Sequence, residues 1–224
     1  MKGLKSGAVW PAHIPRWVHP LLKMWWPGTV WSTSSPNSVH LTFDDGPEPE
    51  ITPWVLDQLL ERGMTATFFV VGEQAQRHPS VLDEVRELGH TLGGHTMRHE
   101  HGWQTGTRDY LVSVQQSMDV AGEDVTLYRP PYGKITRAQT KALGPFGTPV
   151  MWDVLSGDYA AQGKAGAELV LDRLKRHTQA GSIVVFHDSL KCAEVLRAVL
   201  PAYLKWLEAQ GWTSVALENQ SVRV

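Results

Sequence analysis

From Val39 onward, short runs of β-branched and aromatic residues alternate with stretches in which apolar residues recur every three or four positions. This alternation is typical of α/β proteins, in which helices connect parallel strands. It predicts about seven parallel strands, near the segments VHLTF, TATFFVV, HTLGGH, TLYRP, PVMWDV, SIVVFHD and TSVAL.

Four helices are predicted between these strands. Three end at a glycine, a residue that readily ends a helix: Gly63 after ITPWVLDQLLER, Gly89 after HPSVLDEVREL and Gly181 after AGAELVLDRLKRHTQA. The fourth, AEVLRAVLPAYLKWLEAQ, keeps the helical spacing of its leucines and valines, and Pro201 inside it predicts a kink.

Seven strand-helix units are more than an open, doubly wound nucleotide-binding sheet needs, and no G-x-G-x-x-G follows a strand. A closed barrel fits better, and in parallel barrels the chemistry collects where the strands end. Six polar residues stand at or just after the predicted strand ends: Asp44, Asp45, His95, Arg129, Asp158 and His187.

Composition narrows the class of protein. The 224 residues are 42 % hydrophobic and 20 % charged, as in ordinary globular proteins, and the net charge of -2 provides no basic surface for nucleic acid. The single cysteine, Cys192, excludes a disulfide within the chain. Lys191 and Glu194 beside it indicate a helix start without a dedicated base, so we expect a half-buried, unreactive thiol.

The sequence predicts neither a membrane-spanning helix nor a signal peptide. No run reaches about 18 apolar residues. Lys2 and Lys5 are followed by prolines and charge instead of an apolar region with a cleavage site. The expected location is therefore the cytoplasm or the periphery of a membrane.

Five of the ten tryptophans lie in the first 31 residues: Trp10, Trp17, Trp25, Trp26 and Trp31. With Arg16, His19 and Lys23 between them, they would suit a membrane interface. Four prolines prevent a long amphipathic helix, however, and favour indoles that pack on the domain. We expect residues 1–37 to form a Trp-rich segment packed on the barrel, with at most a weak contact with a membrane surface.

His95 and His99, in HTMRH, would face the same way on a helical turn and could share one cation. This spacing alone is weak evidence, because two solvated histidines give the same pattern. The adjacent Asp44 and Asp45 repel each other unless a cation or a donor compensates their charge. A turn in which an aspartate caps backbone amides explains one of them but not both.

Two histidines and one carboxylate together form a site of the catalytic zinc type, which keeps positions open for water and substrate. The second carboxylate would stay free as a general base, because a divalent cation lowers the pKa of a bound water to about 7.

Five segments in this order, TFDDGP, HTMRH, RPPYG, WDVLSGDY and VVFHD, resemble the five motifs of the polysaccharide deacetylases, the NodB-homology enzymes of carbohydrate esterase family four. The resemblance spans about residues 38–217. It implies a distorted (β/α) barrel and a catalytic domain over residues 38–224.

The resemblance also implies roles. Asp45, His95 and His99 would bind one divalent metal ion, by default zinc, although cobalt, nickel or manganese accept the same ligands. Asp44 would be the catalytic base, and Arg129 would hold its carboxylate. The alternative for Arg129 is a surface ion pair that contributes little to stability.

Further roles follow from the last three motifs. The backbone N–H of Tyr132 would help to stabilise the oxyanion, with Pro131 beside it contacting substrate or merely shaping a loop. His187 would be the general acid, and Asp158 would orient it and raise its pKa. Taken alone, His187 could equally be a core histidine.

Two positions depart from the commonest family motifs. Tyr159 replaces the usual tryptophan and Val185 the usual leucine, at positions that line the acetyl pocket in the family. These changes leave the pocket apolar and bear on the identity of the substrate, not on the reaction.

The expected activity is removal of N-acetyl groups from an N-acetylated carbohydrate, by a monomer. An O-acetyl xylan esterase with the same site is the nearest alternative, and a non-catalytic glycan-binding module is another. The N-terminal tryptophans add a further hypothesis, a lipid-linked sugar as substrate.

Overall fold

A computed structural model describes residues 11–218 of the chain. Its strands are β1 (Ser38–Asp44), β2 (Thr67–Val70), β3 (Thr91–Gly94), β4 (Leu127–Tyr128), β5 (Thr148–Pro149), β6 (Val154–Leu155), β7 (Ile183–His187) and β8 (Thr213–Ser214). Its helices are α1 (His19–Trp25), α2 (Thr52–Leu60), α3 (Gly72–Arg77), α4 (Pro79–Glu87), α5 (Thr107–Ala121), α6 (Arg137–Leu143), α7 (Gly163–His177) and α8 (Ala193–Ala209). Three-residue 3-10 turns start at Arg16, Pro131 and Asp158.

Seven parallel strands form a curled half-barrel in the order β5-β4-β3-β2-β1-β7-β6, and the short β8 pairs with the start of β1. The predicted α/β class and the distorted barrel of about seven strands are confirmed. The expected closure is wrong, because the predicted strand PVMWDV is split into β5 and β6, which do not pair with each other. Thr148 and Val150 donate to β4, so Pro149 between them faces the other side of β5, where it has no N–H to donate to a further strand.

The four predicted helices correspond to α2, α4, α7 and α8, and α8 runs through Pro201 without interruption. Three helices, α3, α5 and α6, were not predicted. In α5 the buried residues Tyr110, Val114 and Met118 recur every four positions, so the signal for this helix is present in the sequence.

The two faces of the sheet carry different residues, because successive side chains of a strand point to opposite sides. The layer between the sheet and the helices includes Val39, Leu41 and Phe43 of β1 and Val184 and Phe186 of β7. The alternate residues face the inside of the half-barrel, where Val185 packs with Phe69 and Trp31. Asp44 and His187, which end β1 and β7, therefore face inward as well.

The N-terminal segment lies along the open edges of the half-barrel. Ile14 N–H donates to the Asp153 carbonyl (2.8 Å), next to β6, and Val30 N–H donates to the Pro149 carbonyl (2.9 Å), at the end of β5. Trp31 is completely buried in the inner cluster. The segment thus supplies backbone partners to both edge strands, which would otherwise expose unpaired groups.

The prediction that the indoles pack on the domain holds for only some of them. Trp31 is buried and Trp26 is half-buried, but the exposed fractions of Trp17 and Trp25 are 76 % and 61 %. Trp10, Lys2 and Lys5 lie outside the described residues, and the boundary at residue 37 stays a prediction. Among residues 11–218, no helix combines the length and apolar character that crossing a bilayer requires.

Candidate active site

The ends of β1 and β7 bring the first site residues together. Asp44 and His187 are direct neighbours in the parallel register of the two strands, and both face the inside of the half-barrel. Asp45 follows immediately. Strand pairing therefore joins residues that are 143 positions apart in the sequence.

Backbone strain concentrates at this site. Within residues 11–218, the non-glycine residues with positive φ are Asp45 (80°), Thr96 (62°), His99 (60°) and Tyr132 (59°). Three of them are predicted site residues, and the fourth lies between the two histidines of HTMRH. Such conformations cost free energy and persist where surrounding contacts enforce them, which is common at functional sites.

The expectation that His95 and His99 share a helical turn is wrong. The segment after β3 is irregular, because left-handed residues at 96 and 99 cannot belong to a right-handed helix. Side chains satisfy its backbone: Ser113 Oγ accepts from Met97 N–H (2.8 Å) and Thr96 Oγ1 accepts from Glu100 N–H (3.0 Å).

Three potential metal ligands nevertheless converge. Asp45 Oδ1 lies 3.1 Å from His99 Nε2 and 3.6 Å from His95 Nε2. This buried oxygen has no well-aligned hydrogen-bond donor. One carboxylate oxygen and two imidazole nitrogens that point at a common position, without donating to one another, are the arrangement that a divalent cation requires.

The far side of each ring is held. His95 Nδ1 lies 2.8 Å from the Arg129 carbonyl, to which it donates, and this leaves Nε2 with its lone pair facing Asp45. Burial lowers the pKa of His95 to about 4, so this imidazole is neutral, as a metal ligand must be. His99 Nδ1 is 3.1 Å from the Tyr132 hydroxyl. The residues present therefore fit a borderline divalent ion.

Asp44 is the second carboxylate, and its partner is Arg129. Arg129 Nη1 donates to Asp44 Oδ1 (2.7 Å) and to Thr42 Oγ1 (2.6 Å). The same guanidinium donates to the Val150 and Met151 carbonyls, both at 3.1 Å, and is completely buried. The alternative of a surface ion pair for Arg129 is therefore wrong, because the pair is buried. Removal of either partner would leave an uncompensated buried charge.

His187 and Asp158 form a second acid-imidazole group. His187 Nδ1 lies 2.7 Å from Asp158 Oδ1, and His187 N–H donates to Oδ2 (2.9 Å). Burial disfavours the imidazolium, but the negative charges of Asp158, Asp45 and Asp44 outweigh it and raise the pKa of His187 to about 9. The ring lines the site cavity, with 14 % of the side chain exposed, so it can reach a ligand there.

A cavity of about 430 Å³ contains these groups. Its apolar wall includes Trp152, Leu155, Tyr159 and Val185, next to His187. Tyr159 and Val185, which the resemblance assigns to the acetyl pocket, thus both line this cavity. Pro130 lines the cavity, whereas the predicted contact residue Pro131 is not part of its wall but begins the 3-10 turn that presents Tyr132.

Sequence reasoning missed Asp188, a buried residue that supports the turn after Asp45. Its carboxylate accepts from Thr52 Oγ1 (2.6 Å) and from Gly46 N–H (3.2 Å), and a Cβ atom at Gly46 would collide with it. Burial raises its pKa to about 8. The signal was present, because Asp188 directly follows His187 in the last quoted motif.

Cys192 also differs from expectation. It is fully buried, not half-buried, and lines the cavity. Burial raises the pKa of its thiol to about 12, so it stays protonated at neutral pH, as its predicted lack of reactivity requires.

A carboxylate-histidine-histidine group beside a second carboxylate and an acid-paired imidazole, at one end of a parallel half-barrel, places the chain among α/β proteins with potential metal ligands next to potential acid-base groups. The model of the family described as polysaccharide deacetylase matches residues 32–150. The chain therefore belongs to the polysaccharide deacetylase family, and the family predicted from its motifs is confirmed.

The names of individual relatives are consistent with this family. The chain is 30 % identical over 187 residues to a peptidoglycan-N-acetylglucosamine deacetylase of Bacillus cereus, covering 81 % of this chain and 86 % of that enzyme. It is 32 % identical over 161 residues to a chitooligosaccharide deacetylase of Sinorhizobium fredii, covering 67 % and 72 %. Peptidoglycan deacetylase PdaC from Bacillus subtilis has a similar structure, with a TM-score of 0.73 and 28 % identity over 81 % of this chain and 88 % of that one. The chain spans only 56 % or 38 % of some longer relatives.

Proposed function

We propose that this protein is a metal-dependent hydrolase that removes N-acetyl groups from N-acetylglucosamine-type units of a glycan. The observation that carries the proposal is the convergence of Asp45, His95 and His99 beside Asp44, a carboxylate that Arg129 holds out of this group. The names of the relatives, which act on peptidoglycan or chitooligosaccharides, support an acetylated glycan as substrate.

Asp45, His95 and His99 would hold the cation, most simply zinc given two nitrogen donors and one oxygen donor. When bound, it supplies Lewis-acid chemistry: polarisation of the acetamide carbonyl and a lower pKa for water. The chain's own groups then divide the proton transfers between them.

Asp44 is the general base. Its Oδ1 is tied to Arg129, which leaves the other oxygen to accept a proton from the attacking water. The Tyr132 N–H stabilises the oxyanion that develops on the acetamide carbonyl. His187, held through Nδ1 by Asp158, presents Nε2 to the departing nitrogen and protonates it, so that the products are acetate and a free amine.

The test is acetate release from chitin oligomers, peptidoglycan and acetylxylan, each with and without a chelator. We expect release from an N-acetylated glycan, loss of release with chelator and recovery on addition of Zn²⁺. Release from acetylxylan alone would favour the O-acetyl esterase, since ester and amide hydrolysis share a tetrahedral intermediate. Glycan binding without release from any substrate would favour the non-catalytic module.

The exposed face of the N-terminal segment supports a second, independent part of the proposal, a weak contact with an anionic membrane. Trp17, Leu21, Met24 and Trp25 are 53 % to 76 % exposed, at the spacing of one helical face, and the first 43 residues contain no Asp or Glu. The full chain, which we expect to be a monomer, should cosediment with vesicles that contain phosphatidylglycerol. Replacement of Trp17 and Trp25 by serine should abolish this, and equal binding by both proteins would disprove the contact.

A further inference from the structure

Beyond the cavity wall, aromatic rings continue outward from the metal-ligand group. The Tyr132 ring lies 4.5 Å from His99, His101 lies 5.4 Å from Tyr132, and Trp103 lies 6.0 Å from His101, measured between ring centroids. Tyr132 and Trp103 are 55 % and 50 % exposed. The rings thus form an open row that starts in the cavity and ends on the surface.

The outermost ring, Trp103, is fixed in place. Its Nε1–H donates to the Ile135 carbonyl (3.2 Å), and the Lys134 ammonium lies 4.3 Å from the ring centroid, in a cation-π contact. Trp26 of the N-terminal segment donates to the same Ile135 carbonyl (3.0 Å). A hydrogen bond and a cation-π contact therefore orient the Trp103 indole although half of it is exposed.

The loop that carries Trp103 is also rigid. The Gln139 side-chain amide donates to the Gly102 carbonyl (2.8 Å) and to the Thr105 carbonyl (3.2 Å), on either side of Trp103. A Cβ atom at Gly102 would collide with the Lys134 carbonyl. The indole is therefore held before any ligand arrives, so little side-chain entropy would be lost on binding.

We propose that Trp103, with His101 at its edge and Lys134 beneath it, forms a binding subsite for a sugar unit next to the one whose acetyl group is removed. This inference rests on the proposed function. Pyranose rings present a patch of C–H groups on one face and hydroxyls around the rim, which suits a fixed indole with polar neighbours. His101, Tyr132 and Lys134 line the cavity itself, so a glycan could pass from it onto Trp103 without a gap.

The test is an affinity measurement that needs no turnover. In the Asp44→Asn background, titration calorimetry gives the Kd for the N-acetylglucosamine tetramer and, by competition, for the single sugar. We expect Trp103→Ala to raise the Kd for the tetramer about tenfold and to leave the Kd for the single sugar unchanged. Trp103→Phe, which keeps an aromatic face, should retain most of the affinity. Phe146→Ala, which removes a similarly exposed ring (57 %) outside the cavity, is the matched control.

The outcomes separate the subsite from the proposed function. Equal weakening of both ligands by Trp103→Ala, or no weakening of the tetramer, overturns the subsite. If the unmodified protein binds the tetramer with the expected Trp103 dependence but releases no acetate, the subsite stands and the proposed hydrolysis fails. If the tetramer does not bind at all, the subsite fails, whereas the proposed function fails only if no N-acetylated glycan of the panel releases acetate.

Discussion

Two groups of a carboxylate with imidazole lie at the same cavity, and they differ in how many hydrogen-bond donors reach the carboxylate oxygens. Both oxygens of Asp158 accept hydrogen bonds: Oδ1 accepts from Tyr159 N–H (2.9 Å) and lies 2.7 Å from His187 Nδ1, and Oδ2 accepts from the His187 backbone N–H (2.9 Å). Asp45 Oδ1, between two imidazoles, has no aligned donor. The same residue types thus hold a proton in the Asp158–His187 pair and leave lone pairs open in the group of Asp45, His95 and His99.

This contrast shows how hydrogen bonds behind a histidine decide its chemistry. The Asp158 carboxylate behind His187 stabilises the imidazolium and raises its pKa to about 9, as a proton donor requires. A neutral carbonyl behind His95 adds no charge, and burial lowers its pKa to about 4. The first ring can give a proton, and the second can give a lone pair.

The largest expected effect comes from breaking the lone-pair group. Asp45→Ala should lower the rate of acetate release by at least about 10³-fold, because Lewis-acid stabilisation of several kcal/mol depends on the cation. Metal content after dialysis, measured by atomic emission, should fall with it. The control is Asp57→Ala, which removes an exposed acid of α2. A variant that keeps its metal would contradict the assignment of Asp45 as a ligand.

Asp44→Asn should distinguish a general base from a metal ligand at position 44. We expect kcat to fall by about 10² to 10⁴-fold, the usual contribution of a general base, while metal content is unchanged. The amide oxygen can still accept from Arg129, but the buried guanidinium loses its counter-charge, so the thermal transition should fall and the metal content is measured below it. Loss of metal together with activity would instead place Asp44 among the ligands.

Asp158→Asn should shift the alkaline limb of the pH profile of kcat. A general acid works while it is protonated, so activity is expected below the His187 pKa of about 9 and is lost as pH rises through it. Without the Asp158 charge, burial of the ring prevails and the pKa falls. The alkaline limb should therefore shift to lower pH, with about a tenfold loss of kcat at pH 8. Asp172→Asn, an exposed acid of α7, should leave the pH profile unchanged.

The smallest effect is expected at Asp188, which acts on the metal group through the turn after Asp45. Asp188→Ala removes the acceptor of the Thr52 O–H and of the Gly46 N–H, which should cost about 1–3 kcal/mol in the free energy of unfolding. Zinc affinity should fall about tenfold as the turn loosens. Urea unfolding and a competitive zinc titration measure both. Asp188→Asn keeps an acceptor, and an equal loss in that variant would argue against this role.

Much of the site was predictable because parallel strands align their ends. Once Asp44, His95, Arg129 and His187 are assigned to strand ends, the fold must bring them to one edge of the sheet, and it does. The wrong helical turn at HTMRH has a clear cause: local spacing does not reveal the positive φ of Thr96 and His99, which neighbouring segments enforce.

Other features depended on contacts between distant segments. Periodicity cannot show that Val30 and Ile14 pair with the edges of the half-barrel, and no local pattern distinguishes the buried Trp31 from the exposed Trp17. Likewise, nothing in the run HGWQ indicates that Trp103 is fixed over Lys134.

By itself, the sequence determined the α/β class and the candidates for metal ligands and acid-base residues, because strand patterns and residue chemistry are local properties. The tertiary structure alone decided which carboxylate keeps its lone pairs open, how far the barrel closes and which indoles face outward. These depend on hydrogen bonds and burial between residues far apart in the chain, where a shift of one ångström decides whether a group is satisfied.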